Sequence, residues 1–224
     1  MENAIMSVLL HNLLARAPQS KDLSGVTGLL ALYELVEDGV SDYSEAKLNA
    51  DWHRPGFDPG KDAWVIFTAK GQLVGYADIW MCQHIQIDMR IRVHPEYRQR
   101  GIGTLLLRLA EERARYYARK ADTSVRITLH SAISSADAGA RQLLEHEGFT
   151  LENHYWRLSM ISERYHRPDE YTFDVYANRP ALPGFAPPRQ RTGLYGARRY
   201  DVYEKELRAG EYLLHEDDDL AMTV

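Results

Sequence analysis

The feature that most constrains the fold is a run that reads as a strand, a basic turn and the start of a helix. It is Met89-Arg90-Ile91-Arg92-Val93-His94-Pro95-Glu96-Tyr97-Arg98-Gln99-Arg100-Gly101-Ile102-Gly103-Thr104, followed by Leu105-Leu106-Leu107. Glycine lets a backbone approach a ligand closely, and the first N–H groups of a helix have no partner within it. The run therefore predicts an anion site, of the kind that binds phosphate, where the helix begins.

Two common phosphate-binding loops do not match this run. A P-loop needs a lysine before the Ser/Thr at the helix start, but Gly103 is followed directly by Thr104. A dinucleotide-binding turn needs a third glycine three residues on, and Leu106 occupies that position. The turn alone therefore does not identify the phosphate ligand, and the residues around it have to indicate which ligand binds.

Composition narrows the class of protein. The chain has 224 residues, 45% of them hydrophobic, a net charge of −5 and a single cysteine, Cys82. The net charge disfavours a nucleic-acid partner, and one cysteine excludes an internal disulfide framework. No metal-binding histidine spacing occurs, so no metal is expected. The sequence shows no membrane span, and Met6–Leu10 reads as a first strand rather than a signal peptide, so we expect a cytoplasmic protein.

Hydrophobic periodicity predicts a mixture of strands and helices. A strand at 7–15 precedes helices starting at Lys21 and Glu45, and a Pro- and Gly-containing loop covers 54–60. The alternation at 84–93 places Ile87, Met89 and Ile91 on one face and polar residues on the other. Further strands are predicted at 63–68, 73–80, 125–130, 149–160, 171–176 and 194–207, and further helices at 101–119 and 136–146. A Pro-rich loop follows at 178–193, and an acidic tail at 216–219.

The turn resembles the pyrophosphate signature Arg/Gln-x-x-Gly-x-Gly/Ala of the GNAT family of N-acetyltransferases. Arg98-Gln99-Arg100-Gly101-Ile102-Gly103 carries the match, and Val93-His94-Pro95-Glu96-Tyr97-Arg98 precedes it as is common in that family. The later block Leu143-Leu144-Glu145-His146-Glu147-Gly148-Phe149 also matches. The resemblance covers roughly residues 7 to 160.

The resemblance implies an α/β (α+β) fold, with a central, mostly antiparallel mixed sheet flanked by helices. A GNAT domain is expected at 1–162 and a C-terminal extension at 163–224. The implied cosubstrate is acetyl-CoA, with pantetheine in a gap beside the strand that precedes the turn. Backbone groups of Ile91, Arg92 and Val93 would hold pantetheine. The other implied coenzyme-binding residues are Arg98, Gln99, Arg100, Gly101, Ile102, Gly103, Thr104 and Asp137.

Acetyl transfer to an amine needs a group that removes the ammonium proton. Asp88 is the first candidate base, because it lies on the polar face of the strand that leads to the thioester. His84 on the same face and His130 on the adjacent strand are weaker candidates. Each of them also reads as a solvated or salt-bridged residue.

The acid that would protonate the leaving thiolate is less clear in the sequence. The family often has a tyrosine four residues before the helix-ending glycine, and here that residue is Leu144. Tyr155 and Tyr97 are weak alternatives, and the thiolate can also leave unprotonated because a thiol pKa near ~8.5 makes it a tolerable leaving group. Asp137 replaces the usual asparagine of the family and also reads as a helix cap.

The leading hypothesis is an N-acetyltransferase that acts by direct transfer from acetyl-CoA to a primary amine of a small molecule or peptide. A catalytically degenerate acyl-CoA-binding regulatory module is the alternative, favoured by Leu144. A nucleic-acid binder is disfavoured. The extension at 163–224 is expected to cover the acceptor cleft, add a strand or mediate a homodimer.

Overall fold

The computed structural model describes residues 8–10, 12–39, 41, 43–82, 86–122, 124–162, 169–176 and 194–210. The chain forms two compact units. The first unit contains Met1–Tyr33, Asp42–His130 and Lys205–Val224, and the second contains Glu34–Ser41 and Ser131–Glu204. The predicted boundary after residue 162 stays a prediction.

The first unit is built on a meander of antiparallel strands. Successive strands are neighbours in the sheet, and the β4–β5 pair runs without a register shift from Gly75 opposite Val93 to Cys82 opposite Gln86. The strands are β1 (Val8–Leu10), β2 (Leu13–Arg16), β3 (Ala63–Thr68), β4 (Leu73–Cys82) and β5 (Gln86–Val93), and β6 (Ile127–Ser134) begins in this unit. The helices are α1 (Leu23–Asp38), α2 (Glu45–Trp52), α3 (Pro59–Asp62) and α4 (Ile102–Lys120).

Helices cover both faces of this meander, because successive strand residues point to opposite sides. On one face, Leu30 and Leu48 of α1 and α2 pack with Tyr76. On the other face, Ile102 and Leu106 of α4 pack with the strand residues of a second core cluster. The predicted anion site lies at the turn between the end of β5 and the start of α4.

The described residues of the second unit include long antiparallel strands and a helix. Strand β7 (Thr150–Ser162) lies between β8 (Asp169–Tyr176) and β9 (Leu194–Arg208) and pairs with both. Helix α5 (Ala138–His146) precedes β7. Gly148 follows the helix with φ 85°, as predicted for a glycine stop.

The predicted fold class is confirmed: helices flank a mixed sheet with mostly antiparallel pairs. Two local predictions were wrong. The strand expected at 7–15 is a hairpin of β1 and β2, because Asn12 takes φ 68°, a left-handed turn conformation that asparagine tolerates. The loop expected at 54–60 ends in α3, since Asp58 caps that helix by accepting the Gly60 N–H at 2.9 Å. The segment 178–193 and the acidic tail lie outside the described residues.

None of the helices in the described part of the chain combines the length and the apolar composition that crossing a membrane requires.

Candidate functional site

The turn between β5 and α4 has a left-handed backbone at two positions. Gln99 has φ 60° and Gly101 has φ 78°. Glycine takes this conformation without steric cost, whereas for glutamine it costs on the order of 1 kcal/mol. The start of the turn is fixed by His94, whose Nδ1 accepts the Glu96 N–H at 3.3 Å. Strained backbone positions cluster at binding sites, so this geometry supports a binding role for the turn.

The N-terminus of α4 presents backbone donors with no acceptor inside the helix. Gly101 is the N-cap residue and has no side chain that could cap them. The first intrahelical bond runs from the Leu105 N–H to the Gly101 carbonyl at 2.9 Å. The N–H groups of Ile102, Gly103 and Thr104 therefore remain for another partner, and the dipole of this 19-residue helix favours an anion there.

Close packing on β4 fixes where this helix end lies. A Cβ built on Gly75 would be 2.9 Å from Ile102 Cγ2 and 3.1 Å from Leu106 Cδ1. Only glycine at position 75 lets the first turn of α4 approach the strand this closely. Because Gly75 pairs with Val93 at the end of β5, the same contact aligns the helix with the turn. Sequence reasoning missed Gly75, although an isolated strand glycine is a signal of close approach.

Three arginine side chains near the turn contact aromatic rings. The Cζ of Arg92 lies 4.3 Å from the centroid of the Tyr33 ring, and the Cζ of Arg98 lies 5.5 Å from the same centroid. The exposed Arg100 lies over Tyr97, with 4.8 Å between Cζ and the ring centroid. The structure thus places the guanidinium groups of Arg92 and Arg98 near the same ring, which the sequence did not predict.

The candidate base Asp88 lies on β5, opposite Trp80 of β4. Its carboxylate accepts a hydrogen bond from Gln86 Nε2 at 2.7 Å and another from Cys82 Sγ at 3.1 Å. Burial, and next the hydrogen bond to Asp88, raise the pKa of the Cys82 thiol to about 11, so the thiol is a donor at neutral pH. Both donors to Asp88 are neutral groups, and the half-buried carboxylate is left with its charge uncompensated by them.

Arg90, two residues further along the same face, is in a contrasting environment. It is buried and pairs with Asp78, with 3.0 Å between Arg90 Nε and Asp78 Oδ1. Asp78 also accepts the Tyr76 hydroxyl at 2.7 Å, and Tyr76 accepts Trp52 Nε1 at 3.0 Å. The guanidinium additionally contacts Asp51 of α2 at 3.3 Å. This network links α2 to β4 and β5, and the alternation of β5 gave no sign of it.

The other histidine candidates receive less support. His84 lies outside the described residues. His130 is buried on β6, with its Nε2 2.8 Å from Thr128 Oγ1. A buried histidine with a hydroxyl partner is a common packing arrangement, so Asp88 remains the first candidate.

Two of the predicted residues, Tyr155 and Asp137, belong to the second unit. Tyr155 is buried and stacks on Tyr200, with ring centroids 5.1 Å apart and an interplanar angle of 13°. Asp137 caps α5 by accepting the Ala140 N–H at 2.8 Å, as its alternative reading predicted. Leu144 is buried and supplies no proton. The environment of Tyr155 is that of a packing residue.

Comparison with known protein families gives a match over the part of the chain that contains the turn. The family described as acetyltransferase (GNAT) domain matches residues 59–151, which include β3 to β5, the turn and α4. Residues 59–151 are therefore similar to a GNAT acetyltransferase domain, as the turn predicted. A search of curated protein sequences finds no match.

Solved structures with the same fold cover nearly the whole chain. A GCN5-related N-acetyltransferase from Sphaerobacter thermophilus has a TM-score of 0.76 at 16% identity, over 92% of this chain and 99% of its own. The yncA structure from Salmonella typhimurium, with its cofactor acetyl-CoA, scores 0.56 at 14% identity, over 90% and 98%. A phosphinothricin acetyltransferase from Sinorhizobium meliloti, in complex with acetyl-CoA, scores 0.53 at 19% identity, over 89% and 90%. At these identities the likeness establishes the fold alone.

Proposed function

We propose that the protein is an N-acetyltransferase that moves the acetyl group of acetyl-CoA directly to a primary amine of a small molecule or peptide. The observation that carries this proposal is the open N-terminus of α4 behind the strained turn, within the part of the chain that matches the GNAT domain. Two of the structural relatives were solved with acetyl-CoA, which supports the same ligand here.

The residues present fit this coenzyme. The free N–H groups of Ile102, Gly103 and Thr104 suit its pyrophosphate, and Arg98 and Arg100 add positive charge nearby. Backbone groups of residues 91–93 would hold pantetheine. Gln99 would contribute its backbone in the turn. Asp137 stays a weaker prediction, because its carboxylate is engaged at the start of α5 and repels phosphate.

Bound acetyl-CoA supplies an activated acetyl thioester. Asp88 would attract the acceptor ammonium, because neither of its two donors carries a compensating charge. It would then take one of the two protons that the ammonium has to lose, directly or through water, and the second would pass to solvent as the amide forms. The amine nitrogen would form the new C–N bond as the C–S bond breaks. With Leu144 in place of the usual tyrosine, the leaving thiolate would take its proton from solvent. Cytoplasmic location, absence of a metal and a homodimer are further parts of the proposal.

The first experiment tests acetyl-CoA binding with two matched glycine variants. Gly101 and Gly71 both have positive φ, 78° and 79°, and neither has an atom within 4 Å of an added Cβ. Alanine at either position should cost about 1 kcal/mol of stability through backbone strain. We expect only Gly101→Ala to weaken acetyl-CoA binding, by about tenfold or more, which is roughly 1.4 kcal/mol. A native protein whose melting temperature does not respond to acetyl-CoA would contradict the coenzyme assignment.

The second experiment separates an enzyme from a binding module. Free thiol release from acetyl-CoA is followed with a panel of primary amines. We expect amine-dependent release that falls by about 100-fold or more in Asp88→Asn, a typical effect of removing a general base. Glu112→Gln, which changes an exposed carboxylate on α4, is the control and should keep the native rate. Tight binding without release over the whole panel would instead favour the regulatory module.

A further inference from the structure

Two neutral side chains hold the candidate base Asp88 at both of its carboxylate oxygens. Gln86 Nε2 donates to Oδ1 at 2.7 Å, and Cys82 Sγ donates to Oδ2 at 3.1 Å. Cys82 and Gln86 lie opposite each other in the β4–β5 ladder, and Asp88 lies opposite Trp80. Because strand residues alternate between faces, these two pairs are neighbours on one face of the sheet. The side chains of Cys82, Gln86 and Asp88 are all half-buried there.

This arrangement restricts the rotation of the Asp88 carboxylate. The terminal torsion of an aspartate side chain has a broad energy minimum, so a single donor leaves the carboxylate plane poorly defined. A directional donor at each oxygen fixes that plane. An ionised carboxylate offers about four acceptor positions, and one on each oxygen is taken here, so roughly two remain for an ammonium group.

The two donors also leave the charge of Asp88 in place. Asp78, on the same face, is held instead by a guanidinium, with 3.0 Å between Arg90 Nε and Asp78 Oδ1, so its charge is compensated. Gln86 is uncharged. Cys82 stays protonated near neutral pH because burial, and next its hydrogen bond to Asp88, raise the pKa of the thiol to about 11. Asp88 is thus held in place and keeps the negative charge that attracts an ammonium group.

We propose that Gln86 and Cys82 are positioning residues of the acetyl transfer, which hold the carboxylate of Asp88 in the orientation that accepts a proton from the acceptor amine. The inference rests on the proposed function, because it concerns the base of that reaction. The proton goes to an oxygen of Asp88, and neither donor gains or loses one. Orientation matters because a base has to lie within roughly 2.6–3.2 Å of the atom whose proton it removes, or reach it through one water.

The test combines variants that lack a donor with the variant that lacks the base. Gln86→Met removes the amide at similar size, Cys82→Ala removes the thiol, and Cys82→Ser replaces it with a hydroxyl donor. Each is made alone and together with Asp88→Asn. Gln142→Met changes an exposed glutamine of α5 and is the matched control.

Thiol release gives kcat, and KM for acetyl-CoA and for the primary amine that the native protein uses best. Melting temperatures establish that each variant is folded.

We expect Gln86→Met to lower kcat about tenfold and Cys82→Ala about threefold, with an unchanged KM for acetyl-CoA. Cys82→Ser should keep kcat within about twofold of the native value, because a hydroxyl also donates to a carboxylate. Gln142→Met should have native kinetics. In the Asp88→Asn background, neither Gln86→Met nor Cys82→Ala should lower kcat further, because the base through which they act is absent.

Native kcat in both Gln86→Met and Cys82→Ala would overturn the positioning roles. Losses that multiply with that of Asp88→Asn would overturn them as well, because a merely structural contribution does not depend on the base. Equal losses in Cys82→Ser and Cys82→Ala would overturn the role of Cys82 as a donor. If the native protein itself released no thiol with any amine, the proposed function would be contradicted, and the positioning roles with it.

Discussion

The two ends of α4 differ in how their backbone N–H and carbonyl groups are satisfied. At the N-terminus, Gly101 supplies no side chain, and the first backbone donors have no partner inside the helix. At the C-terminus, the guanidinium of Arg208 donates to carbonyls at and just beyond the helix end: Nη1 contacts Ala118 O at 2.6 Å, and Nη2 contacts Val125 O at 2.9 Å. The chain stabilises the end that has a structural role and leaves open the end that would meet a ligand.

The largest effect on stability should come from the C-terminus of α4, where Arg208 contacts the carbonyls. Arg208→Ala removes the donors of the Ala118, Ala121, Asp122 and Val125 carbonyls. We expect a loss of about 3 kcal/mol in the free energy of unfolding, measured with denaturant, because several carbonyls, most of them in part-buried hydrogen bonds, lose charged donors together. Acetyl-CoA affinity of the folded protein should stay native. Arg208→Lys, which keeps the charge but not the fork of donors, should lose less stability than Arg208→Ala. Equal losses in the two variants would show that the positive charge alone contributes nothing here.

A smaller effect is expected where the open end is held against the sheet. In Gly75→Ala the new Cβ meets Ile102 Cγ2 at 2.9 Å, so α4 has to shift. Overpacking of this kind should cost about 2 kcal/mol and weaken acetyl-CoA binding as well. Gly28→Ala on α1 is the matched control, since nothing lies within 4 Å of its added Cβ, and it should be neutral or stabilising.

The double variant Gly75→Ala with Ile102→Ala checks that mechanism. Removing Cγ2 should make the two losses less than additive, because the shortest of the close contacts at position 75 no longer exists. Strict additivity would mean that the contact is not what positions the helix end.

Two carboxylates on strands β4 and β5 also differ, because only one of them is paired with an arginine. Asp78 is paired with Arg90, whereas Asp88 contacts the Cys82 thiol and raises its pKa, after burial, to about 11. Asp88→Asn removes the charge that opposes the thiolate, so the pKa of Cys82 should fall. A fall of about one unit would raise the alkylation rate near pH 9 roughly tenfold. Cys82 is the single cysteine, so the alkylation rate reports on it alone. An unchanged rate would contradict the contact.

The smallest effects concern the helix dipole. Thr104→Asp adds a negative charge in the first turn of α4 and should stabilise the protein by about 0.5 kcal/mol while weakening acetyl-CoA binding. Lys120→Glu places the same type of charge in the last turn and should destabilise by about 0.5 kcal/mol without affecting binding. If both variants weakened binding equally, the effect would reflect net charge rather than the open helix end.

Local sequence signals were enough to predict strand β5, the turn that follows it and helix α4. Alternation fixed β5, and the glycines with the following leucines fixed the start of α4. Contacts between residues distant in the sequence could not be predicted this way. Arg208 reaches the end of α4 from more than 80 residues away, and the partners of Arg90 come from β4 and α2.

The candidate site was predictable to a similar extent. The backbone donors of the turn follow from two glycines, and Asp88 follows from its place on β5. The Arg92–Tyr33–Arg98 arrangement does not, because it depends on where a tyrosine of α1 lies over the sheet. The packed environment of Tyr155 was likewise hidden, since Tyr200 is its partner from another strand.

The left-handed conformation of Gln99 affects how a ligand would be received. A glycine at this position would relieve the strain but would allow the turn many more conformations before binding. With glutamine, the backbone has already lost much of that freedom when the ligand arrives, so less conformational entropy has to be lost on association. The turn is in this sense preorganised, and affinity is gained from the unbound state rather than from an added contact.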